Sequence, residues 1–175
     1  KVKPKGFLTY TDPPYSLDRG WNIQAHPNGN IQAGSKSYPY LYYESKIEDA
    51  WIDKPTSGYV SSWDNLADTL TQILPKLGLN EKETKDFKDY WLSSLPKSPY
   101  YYIGILSNEA IDKIEPLEVN PKPDTTIRVR LYFKPLEQPI QVTKPQILTP
   151  QRTGYTLVEW GGLVKADPTS PFTCS

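Results

Sequence analysis

Ile127-Arg128-Val129-Arg130-Leu131-Tyr132-Phe133 is the stretch that decides the fold. Ile127, Val129, Leu131 and Phe133 recur at every second position, with Arg128, Arg130 and Tyr132 between them. A period of two sends successive side chains to opposite faces of a strand, so the segment reads as a half-buried antiparallel strand with its apolar face on a core. Its neighbours point the same way. Before it, Tyr100 to Leu106 is a continuous apolar run of strand length, followed by a short helix over Asn108 to Ile114 and the rigid turn Pro121-Lys122-Pro123-Asp124. After it, Gln138 to Val142 and Tyr155 to Trp160 supply two more strands, the last continuing through Gly161 and Gly162 to Val164.

The N-terminal half has the same texture, with one helical interruption. Gly6 to Tyr10 reads as a strand ended by Asp12-Pro13-Pro14. Trp21 to Ala25 alternates at strand period, and Asn28-Gly29 favours a type I′ turn, which predicts a β-hairpin over residues 20 to 33. Tyr38 to Glu44 reads as one strand with Tyr38, Tyr40 and Tyr42 on one face, Leu41 and Tyr43 on the other, and Pro39 marking an edge or a start. Ile47 to Tyr59 is irregular apart from a short strand at Gly58 to Ser61. Ser62 then caps a helix whose Leu66, Leu70, Ile73, Leu74 and Leu77 follow the i, i+3, i+4 rule, with Pro75 stopping it near Leu74 and Gly78 closing it. Asn80 with Glu83 three residues on forms a capping box for a second helix that buries Phe87, Tyr90, Trp91 and Leu95. The expectation is an α+β fold of mainly antiparallel sheets, packed as a distorted sandwich, with a helical hairpin at 63 to 95 covering one edge or face. The 175 residues suit a single domain over 1 to 167 with a tail at 168 to 175.

Composition removes several chemistries. The chain has 13 Tyr, 5 Trp and 18 Pro against one His, one Cys and no Met. His26 and Cys174 do not make a three-ligand soft metal site, and no EF-hand loop, phosphate loop or Gly-x-Ser-x-Gly elbow occurs. No metal and no cofactor are expected. His26, before Pro27 in a turn, reads as a solvated turn residue, and Cys174 as a tail thiol without an intramolecular partner. Twenty basic and twenty acidic residues cancel, so no global field favours nucleic acid. The longest apolar run, Tyr100 to Leu106, falls far short of the roughly 20 residues of a membrane-spanning helix.

Two chemistries remain. Tyr38, Tyr40, Tyr42, Tyr100, Tyr102 and Trp160 are candidate binding residues, because a ring offers apolar contact area and, in tyrosine, a hydroxyl handle. Sheet packing competes for the same residues. Glu44 and Glu159 are candidate paired carboxylates of a glycosidase-like centre, which needs two acids about 5 to 9.5 Å apart across one cleft. A lone strand glutamate is more often a surface residue or a buried partner of Arg128 or Arg130.

Gly20-Trp21, His26-Pro27-Asn28-Gly29, Tyr40-Leu41, Tyr90-Trp91, Leu95-Pro96, Pro99-Tyr100, Pro121 to Thr125 and Val158-Glu159-Trp160-Gly161-Gly162 together resemble an uncharacterised, mainly bacterial domain family of hypothetical proteins. The likeness runs from about Lys5 to Val164 and implies a shared fold, but no activity and no residue role. In that family a Tyr-Leu-Tyr-Pro-like segment often precedes this region, which implies that the chain is part of a longer precursor, and a Trp commonly stands where this chain has Tyr43.

The expected function is a non-enzymatic surface or secreted binding and assembly module, acting on a protein partner or on itself. Its aromatic and proline-rich strands would form the interface, and the arm Lys1 to Tyr10 would add to a neighbour's sheet. Carbohydrate is the other ligand class considered, and nucleic acid is not expected. The alternatives are a carbohydrate-active enzyme using Glu44 and Glu159, and an intracellular scaffold. A first residue that is Lys1 rather than Met leans the expectation towards a processed chain at the cell surface or outside the cell.

Overall fold

The computed structural model describes residues 1–165 and the backbone of Phe172–Cys174. Strands β1 (Phe7–Asp12), β2 (Gln24–Ala25), β3 (Ile31–Ala33), β4 (Lys36–Tyr38), β5 (Tyr42–Ile47) and β6 (Gly58–Ser62) precede helices α1 (Leu66–Ile73) and α2 (Glu81–Ser94). Strand β7 (Tyr100–Ile105), helix α3 (Asn108–Ile114), β8 (Thr125–Leu136), β9 (Thr156–Val164) and β10 (Phe172–Cys174) follow. Seven strands form one mixed sheet in the order β1-β5-β10-β9-β8-β7-β6, and β2-β3-β4 form a small antiparallel sheet. The fold is α+β with mainly antiparallel pairing. No helix among the described residues is long and apolar enough to cross a membrane.

Strand β8 is central, not half-solvated. It pairs antiparallel with β7 and parallel with β9, and both of its faces are covered. Ile127, Val129, Leu131 and Phe133 meet Leu70, Leu74, Phe87 and Trp91 on the side of α1 and α2. Tyr132 and Leu163 meet Ile111 and Ile114 of α3 on the other. Helices therefore supply the layers on the large sheet where a second packed sheet was expected.

The helical hairpin forms where the apolar periodicity places it. Helix α1 starts at Leu66 behind Asn65, while Ser62 belongs to β6, so the expected Ser62 cap is absent. Pro75 removes an amide donor and the chain tightens into a 3-10 turn over Leu74–Leu77, closed by Gly78 at φ 98°. Asn80 and Glu83 make the reciprocal capping box of α2, with bonds of 2.9 and 2.8 Å.

Other expectations are corrected by proline and by local hydrogen bonding. The N-terminal hairpin is confined to β2 and β3, and among the described residues none but glycine has positive φ, so the turn is not type I′. Asn28 Oδ1 instead accepts the Asn30 amide at 3.0 Å, an Asx turn with Gly29 at φ 86°. Tyr38 to Glu44 is two strands, β4 and β5, broken at Pro39 to Leu41. Gln138 to Val142 forms no strand. It belongs to an irregular proline-bearing strap between β8 and β9, which packs Val142 beside α3's cluster, takes the Gly58 amide on Thr143 O at 2.9 Å and places Pro150 on Gly78. In the expected tail, Phe172–Cys174 is a strand between β5 and β9, and the remainder lies outside the described residues. The arm Lys1 to Tyr10 is not free: Val2 is buried and bridged to Leu117, Lys5 N–H donates to Ile114 O at 2.7 Å, and Phe7 onwards pairs with β5.

Gly162 lets α2 approach the sheet. A Cβ there would stand 2.7 Å from Trp91 Cζ2 and 2.8 Å from Phe133 Cε2, inside van der Waals contact with two buried rings. Gly162→Ala is expected to cost about 1–3 kcal/mol of overpacking, read as a lowered urea unfolding midpoint.

Candidate functional site

The alternation of β5 and β9 sends the candidate residues to two different faces. Tyr42 and Glu44 face α2, and Tyr43 and Ser45 face the α3 side, as their partners Tyr90, Glu159 and Glu115 show. Trp160 likewise faces α2 and Glu159 the opposite side.

On the α2 side the rings form one connected chain. Tyr10 meets Tyr42 at 5.8 Å between centroids, Tyr42 meets Tyr90 at 5.8 Å, and Tyr90 stands edge-on to Trp91 at 5.3 Å. Trp91 continues to Phe87 at 6.1 Å, Phe87 to Trp160 at 5.6 Å and Trp160 to Tyr40 at 5.8 Å. Both ends reach solvent: Tyr10 is 55% exposed and Tyr40 41%. Buried Trp91 and Phe87 anchor the middle. Tyr42 has one phenolic proton, given to Glu44 Oε1 at 2.6 Å, so Tyr90 is the donor in the 2.8 Å contact between the two hydroxyls. Lys82 Nζ lies 6.0 Å over the Tyr40 ring and pairs with the Asp86 carboxylate at 2.5 Å. The result is an amphipathic ledge of half-exposed rings and hydroxyls with the Glu44 carboxylate and the Lys82–Asp86 ion pair.

On the α3 side lies a buried charge cluster. Arg130, 1% exposed, places Nη2 2.8 Å from Glu115 Oε2 and donates it to the Tyr43 hydroxyl at 2.7 Å. Tyr43 passes its own proton to Glu159 Oε1 at 2.7 Å, and Ser45 donates to Glu115 Oε1 at 2.7 Å. Arg128 donates Nε to Glu159 Oε2 at 2.6 Å and Nη2 to Glu115 O at 2.7 Å. Burial pushes the Glu159 carboxyl upwards, but the Arg130 and Arg128 charges outweigh it and hold the group below its ordinary 4.5. Burial raises the Tyr43 phenol well above 10. A glutamate kept ionised between two guanidiniums has no proton to give as a general acid, so the cluster acts as a staple joining β5, β8, β9 and the end of α3.

Glu44 and Glu159 therefore lie on opposite faces of the sheet and do not flank one cleft. Of the six candidate binding residues, Tyr40, Tyr42 and Trp160 come together on the ledge. Tyr38 is half-buried in the small sheet opposite Ile31. Tyr102 is buried on the α3 side against Tyr132, its hydroxyl shared between Pro55 O and Ser57 O, and Tyr100 shares that face by alternation. The ledge also contains Tyr10 and Tyr90. Tyr90 carried a signal as a helix-face aromatic, and Tyr10 only as the last residue of the N-terminal arm. An open depression of ≈ 300 Å³ near Lys54 and Glu109 gathers no converging catalytic pair, since Lys54 bonds Asp49 at 2.8 Å.

No protein-family model, curated protein or solved structure matches this chain. Trp21 and Asp124, both in the motifs quoted above, have packing duties here. Trp21 donates Nε1 to Pro13 O at 2.8 Å and stacks edge-on with Tyr15, and Asp124 Oδ2 accepts the Tyr155 amide at 2.7 Å.

Arg130→Met should cost about 3–5 kcal/mol, because it strands the Glu115 carboxylate, and Arg130→Met with Glu115→Leu should cost less than the two single changes added, both read by urea unfolding. For Glu159 the folded pKa lies below the unfolded one, so its stabilisation is complete above pH 4.5 and is lost as pH falls through the lower folded value. Glu159→Gln is expected to lower stability at pH 7 and to flatten this acid limb, measured by thermal melts between pH 7 and pH 2.

Proposed function

We propose that the chain is a non-enzymatic binding module whose contact surface for a protein partner is the aromatic ledge of Tyr10, Tyr40, Tyr42, Tyr90 and Trp160. The observation that carries this reading is the unbroken run of ring contacts from two solvent-exposed tyrosines down to buried Trp91 and Phe87. Rings fixed on a core lose little conformational freedom on binding, and tyrosine and tryptophan are enriched among the few residues that dominate the energy of protein interfaces. Tyrosine hydroxyls with Glu44 and Lys82 add hydrogen-bonding specificity. The carbohydrate-active enzyme reading loses support, because its two carboxylates are divided by the sheet. A location at or outside the cell surface goes with this proposal. It suits a chain with no Met and one Cys, which offers few sulfur atoms to oxidation.

The test is selection of binding peptides from a random library on the intact chain, followed by titration of the selected peptides. Expected is a loss of about tenfold or more in affinity in both Tyr40→Ala and Tyr90→Ala, with Tyr155→Ala unchanged as the control. Peptides indifferent to Tyr40 and Tyr90, or binding of immobilised glycans in place of peptides, would overturn the proposal.

A further inference from the structure

A bulge in β1 decides which side chains join the ledge. Leu8 pairs with Ser45 but Tyr10 with Glu44, so Thr9 is the extra residue. In an unbroken register Tyr10 would stand opposite Tyr43, on the α3 side, and Asp12 would follow it. The bulge turns both to the α2 side, where Tyr10 is opposite Glu44 and Asp12 opposite Tyr42. Cross-strand partners share a face, so these four side chains form a square in which rings and carboxylates alternate. Its two rings lie on a diagonal, 5.8 Å apart between centroids with planes inclined at 60°. Tyr90 of α2 adds a third ring 5.8 Å beyond Tyr42.

Neither carboxylate of the square has a cation. Glu44 is half-buried, and Oε1 takes the Tyr42 hydroxyl proton while Oε2 accepts nothing from the described residues. Asp12 is exposed and likewise forms no ion pair among them. The nearby helix lysines are committed, Lys82 to Asp86 and Lys85 to Asp89. Lys46, the next residue after Glu44 on this face, stands opposite Phe7 and reaches no carboxylate among the described residues. Two carboxylates against this one lysine leave a negative charge in excess, beside ring faces that reach solvent at Tyr10.

We propose that the protein partner seats an arginine side chain on this square, its guanidinium on the Tyr10 and Tyr42 rings and its N–H groups directed to Glu44 Oε2 and Asp12. The assignment rests on the reading of the ledge as a protein-binding surface and names the residue that the ledge selects. A neutral or apolar side chain in this place would take the half-buried Glu44 oxygen further from water without giving it a partner, at a cost in binding. Between the two cations, the planar guanidinium fits better. It stacks on aromatic faces, is more weakly hydrated than an ammonium, and carries five N–H donors on its edges, so it can lie on a ring and reach two separated carboxylates at once. The hydroxyl chain from Tyr90 through Tyr42 to Glu44 holds the carboxylate in place before the partner arrives, which reduces the ordering cost of binding.

The probes are the peptides selected on the intact chain from the random library. Arginine should be enriched at one position, and its replacement there by citrulline, the uncharged isostere, should raise the dissociation constant about tenfold or more. Lysine at the same position should bind about threefold or more weaker than arginine. On Glu44→Gln with Asp12→Asn, the citrulline replacement should cost less than about threefold, because the coupling between guanidinium and carboxylates is gone. Glu44→Gln keeps an acceptor for the Tyr42 hydroxyl. Asp12→Asn alone, at an exposed position, should give an intermediate penalty and carries the test if circular dichroism shows the double variant disturbed. Peptides that need Tyr40 and Tyr90 yet carry no enriched arginine, accept lysine equally, or show an unchanged citrulline penalty on the carboxylate variants overturn the arginine assignment and leave the ledge standing. Peptides indifferent to Tyr40 and Tyr90 bring down the ledge reading, and this assignment with it.

Discussion

The pairing of Arg130 with Glu115, both almost wholly removed from water, constrains everything built on the α3 side of the sheet. Burying either charge alone is costly, so β8, the residue after α3 and the neighbouring β5 must assemble together. Arg128 and Glu159 repeat the arrangement two residues away on adjacent parallel strands, and Tyr43 joins the two pairs through its hydroxyl. Two guanidiniums meet two buried carboxylates there, and the exposed Asp112 carboxylate adds a further ion pair to Arg128. Gly161, opposite Arg130 in the register, adds no side chain to that crowded stretch.

With one face closed by charge pairing, the other is closed by rings. Helix α2 lies against Gly162, and its aromatic residues join Phe133 below and Trp160 at the side. The helical hairpin packs on the β6 to β9 part of the sheet and meets β5 through Tyr90, which bonds Tyr42. Tyr10, Tyr42 and Tyr40 thus remain at the boundary between packed core and solvent. The same geometry leaves the rings of the ledge half in the core and half in solvent.

Much of the local structure was legible along the chain. The capping box at Asn80, the early stop at Pro75, the left-handed Gly78 and the Ser107-capped helix α3 all depend on residues within a few positions of one another. The site was less legible. Arg128 and Arg130 alternate with apolar residues as a solvated strand face would, and partners more than ten residues away turn that face into an interior. Tyr38, Tyr40 and Tyr42 shared a strand period, but the break after β4 leaves only two of them on the ledge. Phe7 and Tyr10 have strand-opposed spacing, and only the bulge at Thr9 aligns them.

By itself the sequence determined the α+β class, the helical hairpin and the scarcity of His, Cys and Met, because period, capping and composition act over short distances or over none. Tertiary structure alone decided that β8 and β9 run parallel, that Glu44 and Glu159 part to opposite faces, and that the arginine face is buried. Each of these depends on which distant segment lies next to which, and a strand's backbone groups and alternating side chains accept many neighbours equally well until packing and charge pairing select one.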